Sequence, residues 1–254
     1  MTAEAPPAPA GPWRVLRRAL IWVLVAELAA LAASFLIVFV IVLAHTIAHP
    51  HVKAHVPQPL VYALPATLAL QATLLFADLR QGRIFGHGHL AAGLGAGPVQ
   101  RQGLVAALLL AMIAWVLAYI LFLVRFQEVA SFIAREAPPT PVLTMTGGPA
   151  LIVVRLILIG FLAPVAEELF FRGWFWTALR RSWSVWPTAL CTGGIWVALH
   201  ALEGMVRVPI LIPAAILLSL ARHYGGSVRA SIPLHIANNV TAVAVQLVAL
   251  SAAA

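Results

Sequence analysis

The stretch GLVAALLLAMIAWVLAYILFLVR, residues 103–125, runs for twenty-two positions without a charge before Arg125 closes it. As a helix rising 1.5 Å per residue it extends about 33 Å, enough to cross the roughly 30 Å hydrocarbon layer of a bilayer. Working outward, comparable apolar runs recur at about 17–45, 57–78, 150–180, 184–202, 206–222 and 230–252. In lipid every backbone polar group must be satisfied within the segment itself, which leaves the helix as the element for runs of this length. The pattern predicts an all-α, polytopic membrane helix bundle of about seven transmembrane helices.

The whole composition agrees. The 254 residues are 62% hydrophobic and 9% charged, with a mean hydropathy of +0.97, far from the quarter-charged composition of soluble domains. Seven spans joined by short loops leave no room for a second domain, so residues 17–254 read as one transmembrane unit. Residues 1–16 are Ala/Pro-rich at their start and read as a disordered cytoplasmic N-terminus. The run that follows Arg18 is too long for a cleaved signal peptide and is expected to stay as the first span.

The net charge of +8 does not describe a nucleic-acid binder, because its basic residues are scattered among loops rather than gathered on one face. Membrane topology accounts for them. With the N-terminus in the cytoplasm, ten Lys and Arg residues fall inside and only Lys53, Arg125, Arg135 and Arg207 outside, while Arg155 and Arg172 lie within spans. That asymmetry satisfies the positive-inside rule and predicts an integral multi-pass protein of the cell (plasma) membrane, N-terminus in and C-terminus out. Its constant partner is the lipid bilayer; the oligomeric state is not encoded in any pattern of this kind. A single cysteine, Cys191, excludes an intramolecular disulfide.

Ionisable side chains at bilayer depth are costly and must face the protein interior or a wet cavity. Here they cluster. Ala166-Glu167-Glu168-Leu169-Phe170-Phe171-Arg172-Gly173 places two of the eight acidic residues side by side in an apolar run. On a helix Glu168 and Arg172 stand at i,i+4 in the favourable order and can pair, whereas Glu167 is turned about 100° away. Glu167 is therefore the better candidate for chemistry. Two further features follow: His200 late in the next run, and His235 with Asn239, spaced i,i+4 on one face of the last. Together they supply a carboxylate, two imidazoles and a carboxamide, the groups needed for general-base and oxyanion chemistry.

Absences narrow the chemistry. No histidine precedes a glutamate, so the H-E-x-x-H zinc-protease motif is missing; Asp78 is the one aspartate, which excludes a two-aspartate protease; and no G-x-S-x-G elbow occurs. The histidines at 45, 49, 51 and 55, and at 87 and 89, read as solvated or interfacial loop residues. Arg155 reads as snorkelling from the outer end of its span. Straight, upright helices would leave Glu167, His200 and His235 at different depths, so the 150–180 run must tilt, break near Pro164 or after Gly173, or the next one must kink.

These motifs resemble those of the CAAX prenyl endopeptidase type II and bacteriocin-processing (CPBP, Abi) family of intramembrane proteases. Glu167-Glu168 with Arg172 fits E-E-x-x-x-R; Trp196 to His200 resembles F-x-x-x-H with tryptophan for phenylalanine; His235 to Asn239 fits H-x-x-x-N. Arg222-His223-Tyr224-Gly225-Gly226-Ser227 looks like the polar turn before the last motif. The resemblance covers about 150–245. It implies an endopeptidase acting on membrane-associated or prenylated protein or peptide substrates: Glu167 with His200 would activate water, His235 with Asn239 would stabilise the oxyanion, and Glu168 with Arg172 would hold the site's shape. Either aromatic at 196 can pack one turn before His200. The reading favours no metal; its alternative is zinc on Glu167, His200 and His235. Rival functions are a non-catalytic scaffold or bacteriocin-immunity protein and a proton-coupled transporter.

Overall fold

The structure, a computed structural model, describes residues 11–49, 51, 59–126, 128, 153–154, 156–202, 205 and 208–252, with side chains of 59–62 and 244–252 left aside. Every regular element among these residues is a helix. Helix α1 spans Pro12–Ala48, α2 Pro59–Phe85, α3 Leu90–Gly93 and α4 Gln102–Arg125. A broken helix, α5, follows in four consecutive pieces: Leu158–Leu162, Ala163–Glu168, Leu169–Phe175 and Trp176–Leu179. Helices α6 Val185–Leu202, α7 Val208–Gly225 and α8 Val228–Ala252 complete the chain.

Each apolar run read from the sequence falls on one of these helices, while the single-turn α3 was not anticipated. Helix α1 starts at Pro12, several residues before 17, with proline in the first turn, where its missing N–H costs nothing. By length and composition α1, α4 and α7 are capable of crossing a membrane. Their outer faces are what lipid requires: Leu24, Leu28, Leu31 and Phe35 on α1 and Leu110, Leu117 and Leu121 on α4 are all exposed. A soluble monomer does not expose so large an apolar surface. Arg155 and His55 lie outside the described residues.

Helix α5 occupies the middle. It packs on α2 at one side and on α6 and α8 at the other, while α8 also contacts α4 and α7. Phe170, Phe171, Trp174 and Phe175 are all buried, and Trp174 stacks on Phe85 of α2 with centroids 5.8 Å apart. A helix apolar on every side belongs inside a bundle, and here that burial turns the charged residues of α5 inward as well.

The breaks in α5 have identifiable causes. Residues 158–162 are wound as a π-helix, and the Ala163 N–H bonds back five residues to the Leu158 carbonyl. The next bond in that register would come from residue 164, a proline with no N–H. The second break is at Gly173, whose ψ of −109° leaves the helical region; Trp176 N–H then reaches only the Gly173 carbonyl. Each break frees a main-chain carbonyl, and such groups at membrane depth need a donor from elsewhere in the protein.

The turn joining α7 to α8 is held by the segment between α3 and α4. Gln100 N donates to the Gly225 carbonyl at 2.8 Å, Val228 N to Gly95 O at 3.0 Å, and Ser227 Oγ to Gly97 O at 2.7 Å. Gly226 takes φ +66° within this turn, a conformation that costs glycine least. The stitching fixes where α8 starts, and therefore the height of His235.

Candidate active site

Glu168 is wholly buried, and one of its oxygens serves two cations or donors. Oε1 accepts from Arg172 Nη1 at 3.1 Å, as the i,i+4 spacing predicts, and from His235 Nδ1 at 3.0 Å. The carboxylate can only accept while paired with arginine, so His235 Nδ1 carries the proton. That leaves His235 Nε2 facing the other glutamate: it lies 3.9 Å from Glu167 Oε2. This is too long for a direct hydrogen bond and suits one bridged by water.

Glu167 points the other way, as its 100° offset requires, and its side chain keeps 14% exposure against 0% for Glu168. Water can reach the first carboxylate and not the second. Glu167 Oε2 accepts a 2.7 Å hydrogen bond from the Trp196 indole Nε1. Trp196 is the junction of the site: its ring lies 4.7 Å from that of His200, meets His235 edge-on at 5.3 Å, and receives the Arg172 guanidinium at 5.2 Å. The sequence treats position 196 as packing only. The structure corrects this, because a phenylalanine there would have no N–H to give Glu167.

By the family resemblance, His200 reads as activating water together with Glu167. Neither ring nitrogen lies within hydrogen-bonding distance of Glu167; instead Nδ1 meets the Trp196 carbonyl at 2.9 Å. A carbonyl cannot donate, so Nδ1 holds the proton and Nε2 keeps its lone pair. The two site histidines therefore present the same nitrogen, each oriented by its own partner. The half-buried His200 remains in the site's neighbourhood through Trp196 rather than by touching the glutamate.

Asn239, one turn beyond His235, donates its amide to the Ile159 carbonyl at 2.9 Å and accepts from Asn238 Nδ2 at 2.9 Å. Ile159 is the residue whose carbonyl Pro164 leaves without a partner in the π register. The carboxamide thus repairs the first break in α5, with one N–H of its two remaining. Arg222 does the same at the second break: its Nε donates to the Arg172 carbonyl at 2.7 Å and its Nη2 to Thr177 Oγ1 at 3.2 Å. The sequence places Arg222 in the polar turn before the last motif and gives it no role in the site. The sequence signal was an arginine closing an apolar run beside the Gly-Gly turn, with no carboxylate nearby.

Zinc on Glu167, His200 and His235 requires three donors aimed at one point. Among the described residues no three His, Cys, Asp or Glu side chains are so grouped, and the indole of Trp196 is in contact with all three of these side chains.

The fold and the site define a class: a helical protein with membrane-spanning elements that buries a glutamate–arginine–histidine network and leaves a second glutamate accessible beside it. Residues 149–241 match the family model described as Type II CAAX prenyl endopeptidase Rce1-like. The match is a likeness to that family over this part of the chain, and it covers α5 to most of α8, which carry every residue of the site. No curated protein and no solved structure matches the chain.

Proposed function

We propose that the chain is an intramembrane endopeptidase that hydrolyses peptide bonds of membrane-associated or prenylated substrates with water activated by Glu167. The observation that carries this reading is the pairing of unlike carboxylates: Glu168 locked at 0% exposure by Arg172 and His235, and Glu167 at 14% exposure facing His235 Nε2 across 3.9 Å. A water about 2.8 Å from both Glu167 Oε2 and His235 Nε2 fits that gap with an angle of roughly 90° at its oxygen. Glu167 takes the proton from this water as it attacks the scissile carbonyl. His200, whose ring lies against Trp196, is the second residue assigned to activating this water.

The tetrahedral oxyanion needs donors. With Nδ1 held by Glu168, His235 turns Nε2 towards Glu167 and the site, and that nitrogen, when it carries a proton, is one donor to the oxyanion. The remaining amide N–H of Asn239, one turn along α8, is the second donor. Glu168 and Arg172 set the orientation of His235, and Trp196 sets that of Glu167. Proton release to the leaving amine follows from Glu167, now the acid.

The remaining parts of the reading are about seven spans, the N-terminus in the cytoplasm, the plasma membrane as location and chemistry without a metal. They rest on the seven apolar runs, the ten-to-four distribution of basic residues and the donor set described above. The test is cleavage of membrane-tethered peptides, including one with a prenylated C-terminus, by purified wild type, Glu167→Gln and His235→Ala. Cleavage by the wild type alone, insensitive to chelator, is expected. Full activity in either variant would sink the mechanism, and loss of activity on chelation restored by zinc would replace it with a metal-dependent one.

A further inference from the structure

Away from the glutamates, α1 and α2 enclose a groove of about 410 Å³ at the arginine-rich end of the bundle. Its walls are of two kinds. Ile21, Val25 and Ile84 line it with aliphatic surface, and Arg18 and Arg80 stand on either side. Both arginines are exposed, yet neither is loose: the Arg18 guanidinium lies over the Phe85 ring at 5.7 Å, and that of Arg80 over Trp22 at 5.9 Å. Ring contact uses the face of a guanidinium and leaves its N–H edge for an anion.

Among the described residues none supplies that anion to Arg18 or Arg80. Ion pairs form at Glu167 and Glu168, and neither involves Arg18 or Arg80. Asp78, the acid nearest Arg80 in sequence, is buried at 1% exposure and turned about 200° away around α2. Meanwhile the aliphatic floor runs on into the exposed apolar face of α1 through Leu24 and Leu28. A ligand that fits both halves has a negatively charged head and a hydrocarbon tail.

We propose that this groove is a binding site for an anionic phospholipid, with the phosphate held by Arg18 and Arg80 and an acyl chain lying along Ile21, Val25 and Ile84. Two unpaired guanidiniums favour a head of net negative charge over a zwitterionic one, whose choline would sit against them. Basic pockets between membrane helices hold anionic head groups by this combination of charge and contact. Trp22 at the groove and the Trp13–Trp183 pair, 6.1 Å apart, put an aromatic belt at the same end, where the head groups lie.

The full-length protein in nanodiscs of phosphatidylcholine with a minor share of phosphatidylglycerol tests the site, with retained lipid counted by native mass spectrometry and affinity read from titration. The expected result is selective retention of phosphatidylglycerol by wild type and an affinity about 30-fold lower in Arg18→Gln/Arg80→Gln, the share two arginines supply at a lipid surface. A control pair of equal charge loss outside the groove, Arg14→Gln/Arg83→Gln, should bind as wild type. Arg18→Lys/Arg80→Lys, keeping the charge, should lose less than the glutamine pair. Equal losses in the control and groove pairs, or none in the groove pair, would overturn the proposal. So would displacement of the lipid by inorganic phosphate, which would make this a simple anion site, or by a prenylated peptide, which would make it a substrate site.

Discussion

Replacing Trp196 by phenylalanine removes the indole N–H that donates to Glu167 while keeping an aromatic ring against His200 and His235. The lost bond is short, 2.7 Å, largely buried and made to a carboxylate. Hydrogen bonds to charged groups contribute about 1.5–3 kcal/mol. If that energy keeps Glu167 aimed at the gap before His235, its loss falls on the chemical step, and about 1.4 kcal/mol per decade converts it to a 10- to 150-fold drop in kcat. KM should change little, because substrate is not what the indole holds. The assay is cleavage of a fluorogenic membrane-tethered peptide in nanodiscs, with kcat and KM measured separately. Phenylalanine is also smaller than tryptophan, so packing must be separated from bonding. Benzothienylalanine at 196 has the indole's shape with sulfur in place of N–H, and it should reproduce the fall in kcat without the loss of thermal stability. Wild-type kcat in that variant would refute the assignment of Trp196 as the residue that positions Glu167.

Other consequences follow from the two breaks in α5 and from the buried pair. Asn239→Ala should lower thermal stability by about 1–3 kcal/mol, the cost of an orphaned buried carbonyl. Pro164→Ala restores the missing N–H and should recover much of that loss in the double variant; additive or greater loss would show that Asn239 does not repair the proline break. Arg172→Met leaves Glu168 buried without its cation, which costs about 3–5 kcal/mol, so the variant should lose folded, monodisperse protein on size-exclusion. Gly95 has φ +59°, and a Cβ there would overlap the Arg222 guanidinium and crowd Thr177 Oγ1. Gly95→Ala should therefore reduce cleavage as Arg222→Ala does, and the two together should reduce it no further. Additive effects in that cycle would place Gly95 outside the Arg222 contact.

Much of the architecture was legible because it depends on local patterning. Lengths of uncharged sequence locate helices without knowledge of their neighbours, and the Glu168–Arg172 bond follows from i,i+4 spacing alone. The same rule turned Glu167 away from Glu168, and the structure gives the two carboxylates different partners and different exposure. The excess length of the 150–180 run left open a strong tilt or a break near Pro164 or after Gly173, and α5 departs from α-helical winding at both places. Glu167 and His200, read as activating one water together, share no direct hydrogen bond; the indole of Trp196 lies against both.

The sequence by itself determined that the chain is a helical bundle for a lipid environment, which residues are too polar for lipid, and which of them share a helix face. The tertiary structure alone decided their bonding across helices. Trp196 reaches Glu167 over 29 positions, Arg222 reaches Arg172 over 50, His235 reaches Glu168 over 67 and Asn239 reaches Ile159 over 80. Two of these four contacts end on main-chain carbonyls. Such an acceptor has the same chemistry at every residue, so it leaves no mark in the sequence; it becomes a site only where a proline or a turn in the winding withdraws its usual donor. Helical periodicity tells a side chain which neighbours it has within a turn, but only packing brings it to the carbonyl that another helix has left open.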